Sequence, residues 1–236
     1  MKLQRFFGEF NFKDNKVTIS DYELINQIKN VFRYQKGNEV LLLDNLGNEA
    51  LGEIRKINNE EIIFEIKKVQ KNENMPKNKV ALYSSILKKE NFELVVQKAT
   101  EVGVNEIYPL LSARTIKQNI KEDRLVKIIK EASEQSERGT IPTLHSPVDF
   151  NEAIKNINKK ELNIIFNHSG NQIFAPDKWE LPQKINIFIG PEGGWTEEEI
   201  TLAKESDFKI VSLGKLNLRG ETAAIIASYL AVNLRE

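Results

Sequence analysis

Cysteine is absent from this chain. That excludes disulfides, thiolate nucleophiles and cysteine-ligated zinc. Histidine is nearly absent: His145 and His168 stand far apart, with no acidic partner at ligand spacing, so no metal is expected. Neither charge is in excess, since 34 basic residues face 34 acidic ones for a formal net charge of +0. Any nucleic-acid binding must therefore come from local patches. No apolar run is long enough to span a bilayer, and Met1 to Phe10 holds no apolar segment of the secretory kind. The expectation is a cytoplasmic protein with no membrane partner. What is present suits one large domain or two modest ones: 236 residues, 40% of them hydrophobic.

The hydrophobic rhythm changes partway along. Val17 to Ile19, Val40 to Leu43, Ala50 to Ile57 and Glu61 to Val69 read as strands, separated by Asn and Gly clusters. One helix interrupts them, with Ser20 and Glu23 as a capping box and Leu24, Ile28, Val31 and Phe32 at helical spacing. These elements predict a small β-barrel over 1–70. A polar stretch with Pro76 then reads as a linker over 71–78. From Lys79 strands and helices alternate: strands at Val80 to Leu87, Asn105 to Leu111, Leu162 to Asn167 and Lys184 to Ile189. Asn91 is expected to cap a helix that Gly103 stops, and Thr196 with Glu199 to cap another. Helices over Asp123 to Arg138 and Glu221 to Leu234 complete the pattern. Alternation of this kind predicts an α/β domain with a parallel sheet over 79–236.

Two glycine-bearing loops, each following a strand and opening a helix, carry the chemistry. The first is Gly190-Pro191-Glu192-Gly193-Gly194; the second runs from Leu213-Gly214 through Arg219-Gly220-Glu221-Thr222-Ala223. The first lacks the Lys-Ser/Thr pair of a P-loop and the spacing of a dinucleotide fingerprint. Two such loops close in sequence suggest one ligand pocket at the carboxyl ends of a parallel sheet. One such loop alone reads rather as a tight connection that binds nothing; the second nearby shifts the reading toward a pocket. Arg219 offers a planar fork for phosphate or carboxylate, or a surface ion pair with Glu221.

These motifs carry a resemblance. GPEGGWTEEEI (Gly190 to Ile200) and LGKLNLRGETAA (Leu213 to Ala224) resemble the RsmE family of ribosomal RNA uridine-N3 methyltransferases, of the SPOUT superfamily. Lys88 to Ile116, Glu131 to Pro142, Arg5 to Phe7 and Asn30 to Val40 resemble further blocks of that family. Asn26, Phe32, Trp195 and Gly220 depart from its usual residues. The resemblance implies a SPOUT-type parallel sheet with a C-terminal trefoil knot, preceded by a PUA-like RNA-binding barrel. It implies S-adenosylmethionine as cofactor, 16S rRNA in the 30S subunit as substrate, and a homodimer. The cofactor residues it implies are Asn167, Gly190, Pro191, Glu192, Gly193, Gly194, Leu213, Gly214, Leu216, Leu218, Thr222 and Ala223. Arg219 is the expected electrostatic stabiliser or phosphate clamp, with Glu192 and Glu221 as base or orienter.

For RNA, the candidates are Arg5, Arg33, Arg114, Lys117, Gln135 and Arg138. Arg114, Lys117, Lys121, Arg124, Lys127 and Lys130 make the best local basic patch, readable as a phosphate track or as a solvated face. The competing function is a non-catalytic rRNA-binding or ribosome-assembly factor with a degenerate pocket.

Overall fold

A computed structural model describes residues 3–74, 76–116, 119–168, 170, 172–174 and 183–234. Its chain contacts divide it into two compact units. One comprises Met1–Met75 with Ser133–Ile141, the other Pro76–Ala132 with Pro142–Glu236.

In the first unit, alternation of apolar and polar residues builds a five-stranded sheet ordered β1-β3-β4-β5-β2. The strands are β1 (Arg5–Phe7), β2 (Lys16–Ile19), β3 (Glu39–Leu43), β4 (Asn48–Ile57) and β5 (Ile62–Lys71). Register shifts between Leu51 and Gly52 and between Ile54 and Lys56 bend the long β4–β5 pair, as bulges do. Phe6, Leu42, Ile54 and Phe64 are wholly buried on one face. Helix α1 (Tyr22–Asn26) runs into a π turn, Gln27–Val31, and contributes Leu24, Ile25 and Ile28 to that core. The cap differs from the expected Ser20–Glu23 box. Asp21 stands at the N-cap, and its Oδ1 accepts from Leu24 N at 2.7 Å. A carboxylate is the stronger acceptor there. The segment from Ser133 is held by long-range bonds: Phe7 N donates to Glu134 Oε1 at 3.1 Å, and Asn72 Nδ2 to the Glu137 carbonyl at 3.2 Å.

The second unit centres on a sheet ordered β11-β13-β10-β12-β6-β7-β8, with β9 beside β7. The strands are β6 (Lys79–Ser85), β7 (Glu106–Leu111), β8 (Thr143–Leu144), β9 (Val148–Asp149), β10 (Leu162–Phe166), β11 (Gln172–Ile173), β12 (Lys184–Ile189) and β13 (Lys209–Ser212). Their pairings are parallel. The helices are α2 (Lys89–Val102), α3 (Glu122–Gln135), α4 (Phe150–Asn156), α5 (Glu197–Glu205) and α6 (Gly220–Val232). Central strands buried on both faces explain the near-continuous apolar runs of β10 and β12. On one face Phe150, Trp195 and Phe208 gather around Phe188, whose ring stacks on Tyr83 at 4.2 Å. α6 packs against α2, β6 and β12.

The Thr196–Glu199 capping box is present as expected. Asn91 is not the cap of α2. The helix opens at Lys89 with Lys88 at the N-cap, and Asn91 N donates to the Lys88 carbonyl inside the first turn. β1, β8, β9, β11 and α4 are additions to the elements expected. No helix among the described residues is long and apolar enough to cross a membrane.

Gly103 ends α2 at φ +111, its N–H reaching the carbonyls of Ala99 and Thr100. A Cβ there would lie 2.7 Å from Pro76 Cγ. Gly103→Ala is expected to destabilise the protein by more than about 1 kcal/mol, measured as a fall in the urea midpoint.

Candidate active site

The chain order of the second unit places its loops. β13 follows α5 and pairs with β10, yet α6 packs against β12 and β6. The segment between β13 and α6 must therefore pass over the carboxyl end of β10 to reach the middle of the sheet. There it meets the loop that leaves β12. Together they bound a cavity of about 660 Å³. Carboxyl strand ends at such a crossing are where open α/β sheets bind ligands.

The two walls are built differently. The loop after β12 is tightly tied. Trp195 Nε1 donates to the Phe166 carbonyl at 2.9 Å, closing the end of β10 against the loop. Its indole lies so near Gly190 that a Cβ there would stand 3.0 Å from the ring, a tight contact that would require the ring to shift. Arg114 Nη1 donates to the carbonyls of Gly193 at 2.7 Å and Trp195 at 3.3 Å. Glu199, buried at the start of α5, accepts from Ala113 N at 2.9 Å and Thr196 N at 2.8 Å. Glu192 Oε1 accepts from Lys88 N at 3.4 Å. The loop after β13 is the opposite. The backbone of 214–218 makes no hydrogen bond to another described residue. Gly214 sits at φ +135 within it. Its polar backbone groups are thus available to a ligand.

Of the residues expected at the site, Asn167, Gly190, Pro191, Glu192, Gly194, Leu213, Gly214, Leu216, Leu218, Arg219, Glu221 and Ala223 line this cavity. Gly193 and Thr222 sit on the same loops without lining it. Glu221 is buried in the first turn of α6, while the Arg219 side chain is 85% exposed and 3.9 Å from it. An ion pair so long and so exposed holds the guanidinium only weakly.

The RNA candidates have different surroundings. Arg114 is engaged with the loop carbonyls. Arg33 is exposed at φ +56, and Gln135 is exposed on α3. Arg5 lies 3.2 Å from Glu137. Arg138 is 3% exposed, donates from Nε to the Thr140 carbonyl at 3.1 Å, and is pushed down to about 10 by burial. Lys117 lies outside the described residues.

Sequence reasoning overlooked Lys88, Asn91, Ile116 and Asn217 as lining residues. Lys88 and Asn91 had read as the start of a helix, and only the fold brings that start beside the loops. His168 also lines the cavity. Among the described residues no group of three or more His, Asp or Glu could hold a metal ion.

The domain that carries this parallel sheet and loop-bounded cavity matches a family model described as an RNA methyltransferase domain. That model matches residues 73–232, and one described as an RNA methyltransferase PUA domain matches 21–67. Ribosomal RNA small subunit methyltransferase E of Mesomycoplasma hyopneumoniae is 39% identical over 175 residues, covering 71% of this chain and 74% of that protein. The protein of the same name from Buchnera aphidicola subsp. Schizaphis graminum is 31% identical over 244 residues, covering 99% and 97%. The crystal structure of ribosomal RNA small subunit methyltransferase E from Neisseria gonorrhoeae, bound to S-adenosyl methionine, superposes with a TM-score of 0.91 at 28% identity, covering 99% of this chain and 98% of that one. The chain belongs to the ribosomal RNA small subunit methyltransferase E family.

Arg114 generates a prediction independent of the ligand. Arg114→Ala removes two charge-assisted bonds from the loop after β12. Hydrogen exchange at the Gly194 amide, which donates to the Pro191 carbonyl at 2.8 Å, is expected to rise about tenfold or more.

Proposed function

We propose that this chain methylates N3 of a uridine in small-subunit ribosomal RNA, 16S rRNA, with S-adenosylmethionine as donor. The observation that carries the reading is the cavity at the crossing, with one wall of unbonded backbone and one of clamped glycine loop. The donor fits this wall: the free amides and carbonyls of 214–218 match an adenine edge and ribose hydroxyls, and Gly190 leaves the backbone bare. Glu192 and Glu221 place carboxylates along the cavity, suited to a sulfonium charge. When bound, S-adenosylmethionine supplies an electrophilic methyl group on a positively charged sulfur.

The residues of the chain do the rest. The walls hold acceptor and donor in line, which supplies much of the rate. Uridine N3 lies on the Watson–Crick edge, so the target base must be unpaired or extruded to enter. Arg219, exposed and loosely paired, is free to close on the target nucleotide's phosphate or on charge that develops in the reaction. Glu192 and Glu221 are the carboxylates within the cavity that can take or relay the N3 proton.

The finer assignments complete the reading. Residues 1–70 form the PUA-like RNA-binding domain, 71–78 a linker, and 79–236 the SPOUT methyltransferase domain. The passage of 213–219 over β10 supports the C-terminal trefoil knot. Arg5, Arg33, Arg114, Lys117 and Gln135 are the proposed RNA-facing residues, of which Arg33, Arg114 and Gln135 are exposed; Arg138, 3% exposed, is buried and drops from that set. Exposed Leu94 on α2 with Ile226 and Tyr229 on α6 supports a homodimer through these helices. The substrate is rRNA in the 30S subunit, and the reaction is cytoplasmic.

Titration calorimetry with S-adenosylmethionine is expected to show one site per chain; no heat of binding would favour the non-catalytic assembly factor instead. Arg219→Ala is expected to cut methyl transfer to unmodified 30S subunits by about a hundredfold, read as tritium incorporation. Tyr229→Asp is expected to shift sedimentation toward the monomer.

A further inference from the structure

One part of the cavity has no role in that account. Lys88 at the N-cap of α2 and Asn91 in its first turn line it, as does Ile116 beyond β7. Among the described residues the Lys88 ammonium and the Asn91 amide make no hydrogen bond or ion pair. The cavity therefore has a wall of free backbone, on the loop after β13, and a separate set of free side chains carried by other elements. The first suits a rigid cofactor that the protein meets in every turnover. The second suits the group that must be told apart from similar ones.

We propose that Lys88 and Asn91 form the acceptor-base subsite and make it selective for uracil. The inference rests on the methyltransferase reading of the same cavity. Uracil presents two carbonyl acceptors flanking N3–H. Loss of the N3 proton spreads negative charge onto both oxygens. An ammonium and an amide N–H₂ placed at these oxygens stabilise the charge as it forms, a stabilisation the neutral base does not share. Cytosine carries an amino donor where uracil carries O4. Donor would then meet donor, and an unmatched polar group in the site costs binding and rate. Ile116, largely exposed at the cavity, supplies apolar surface for the face of the ring.

The target nucleotide brings two anionic centres, its phosphate and the developing charge on its base. Among the described residues the cavity holds two basic side chains of Lys or Arg, Arg219 and Lys88. A phosphate charge is the same before and during reaction, so Arg219 on phosphate would act mainly on binding. Lys88 on the base acts on the chemical step. The other titratable groups facing the cavity are Glu192, Glu221 and His168. In the step itself, N3 releases its proton to one of these carboxylates or to solvent. The N3 lone pair then forms the N–C bond as the methyl C–S bond breaks, and that bonding pair stays on sulfur, which becomes a neutral thioether.

The test uses the full-length protein with 30S subunits that lack the modification, and measures S-adenosylmethionine affinity and single-turnover rate separately. Lys88→Met is expected to leave the dissociation constant for S-adenosylmethionine within about twofold and to slow methyl transfer about a hundredfold. The pH at which the rate levels off is expected to move upward, because the base must then ionise without help. Lys88→Arg is expected to recover part of the rate. Asn91→Ala, assayed on subunits with the target uridine and with cytidine in its place, is expected to narrow the preference for uridine by about tenfold. A Lys88→Met enzyme with unchanged rate and pH profile overturns the proposal. So does one whose cofactor affinity falls by the same factor as its rate, which would put Lys88 on the donor. Wild-type protein that binds no S-adenosylmethionine sinks the methyltransferase reading and this inference together; an active wild type with an indifferent Lys88→Met sinks the inference alone.

Discussion

The order in which the strands of the second unit are laid down constrains everything about its site. β13 is placed beside β10, but the helix that follows it belongs over β12 and β6. A chain that leaves a strand near one edge and must bury its next helix at the centre has to cross the carboxyl ends of its neighbours. α6 has strong reason to reach that position, since Ala224, Ala227 and Ala231 are wholly buried in it. Small side chains let a helix approach closely and leave little apolar surface for any other docking. Burial of α6 thus drives the crossing, and the crossing forms the cavity.

A loop stretched over strand ends cannot satisfy its own backbone by regular structure, and unpaired polar groups are costly when buried. The protein resolves this asymmetrically. The loop after β12 is satisfied from outside itself, by Arg114, Glu199 and Trp195. The loop after β13 is left open and partly solvated. Rigidity on one wall and unmet hydrogen bonding on the other is the combination a binding site requires, because the ordering cost is already met before a ligand arrives. Two further residues shape this arrangement. Trp195 adds an indole N–H that reaches the end of β10. Gly220 sits where a Cβ would come 3.0 Å from Leu87, so a bare backbone relieves crowding at the start of α6.

Much of this was legible in the residues. Apolar runs bounded by polar loops marked β10 and β12, and the Thr196–Glu199 pair marked α5, because such signals are local. The two glycine loops were legible as a pair because each follows a strand and opens a helix. Two- and three-residue strands such as β8, β9 and β11 have no periodicity to read. The association of Ser133–Ile141 with the first unit depends on Glu134 meeting Phe7 and Glu137 meeting Asn72, partners far away in sequence. Arg114 is the instructive case. Its position after a strand and among basic residues reads as a phosphate contact, and its Nη1 is also engaged with loop carbonyls. Charge type and spacing identify a group able to bind anions but not whether a carbonyl has reached it first.

The same limit explains why Lys88 and Asn91 escaped notice. Read along the chain they open a helix, and a helix opening needs no further purpose. Only when β6 delivers the start of α2 to the strand ends that hold the glycine loops do they become free side chains facing a cavity. A site for two ligands needs two kinds of recognition. Backbone groups are fixed in number and direction and cannot be altered without breaking the fold, which suits a cofactor whose chemistry is constant. Side chains can be exchanged singly, which suits an acceptor that must be one base among four. The placement of free backbone on one loop and free side chains on α2 separates these tasks within one cavity, so acceptor choice can change without loss of the donor.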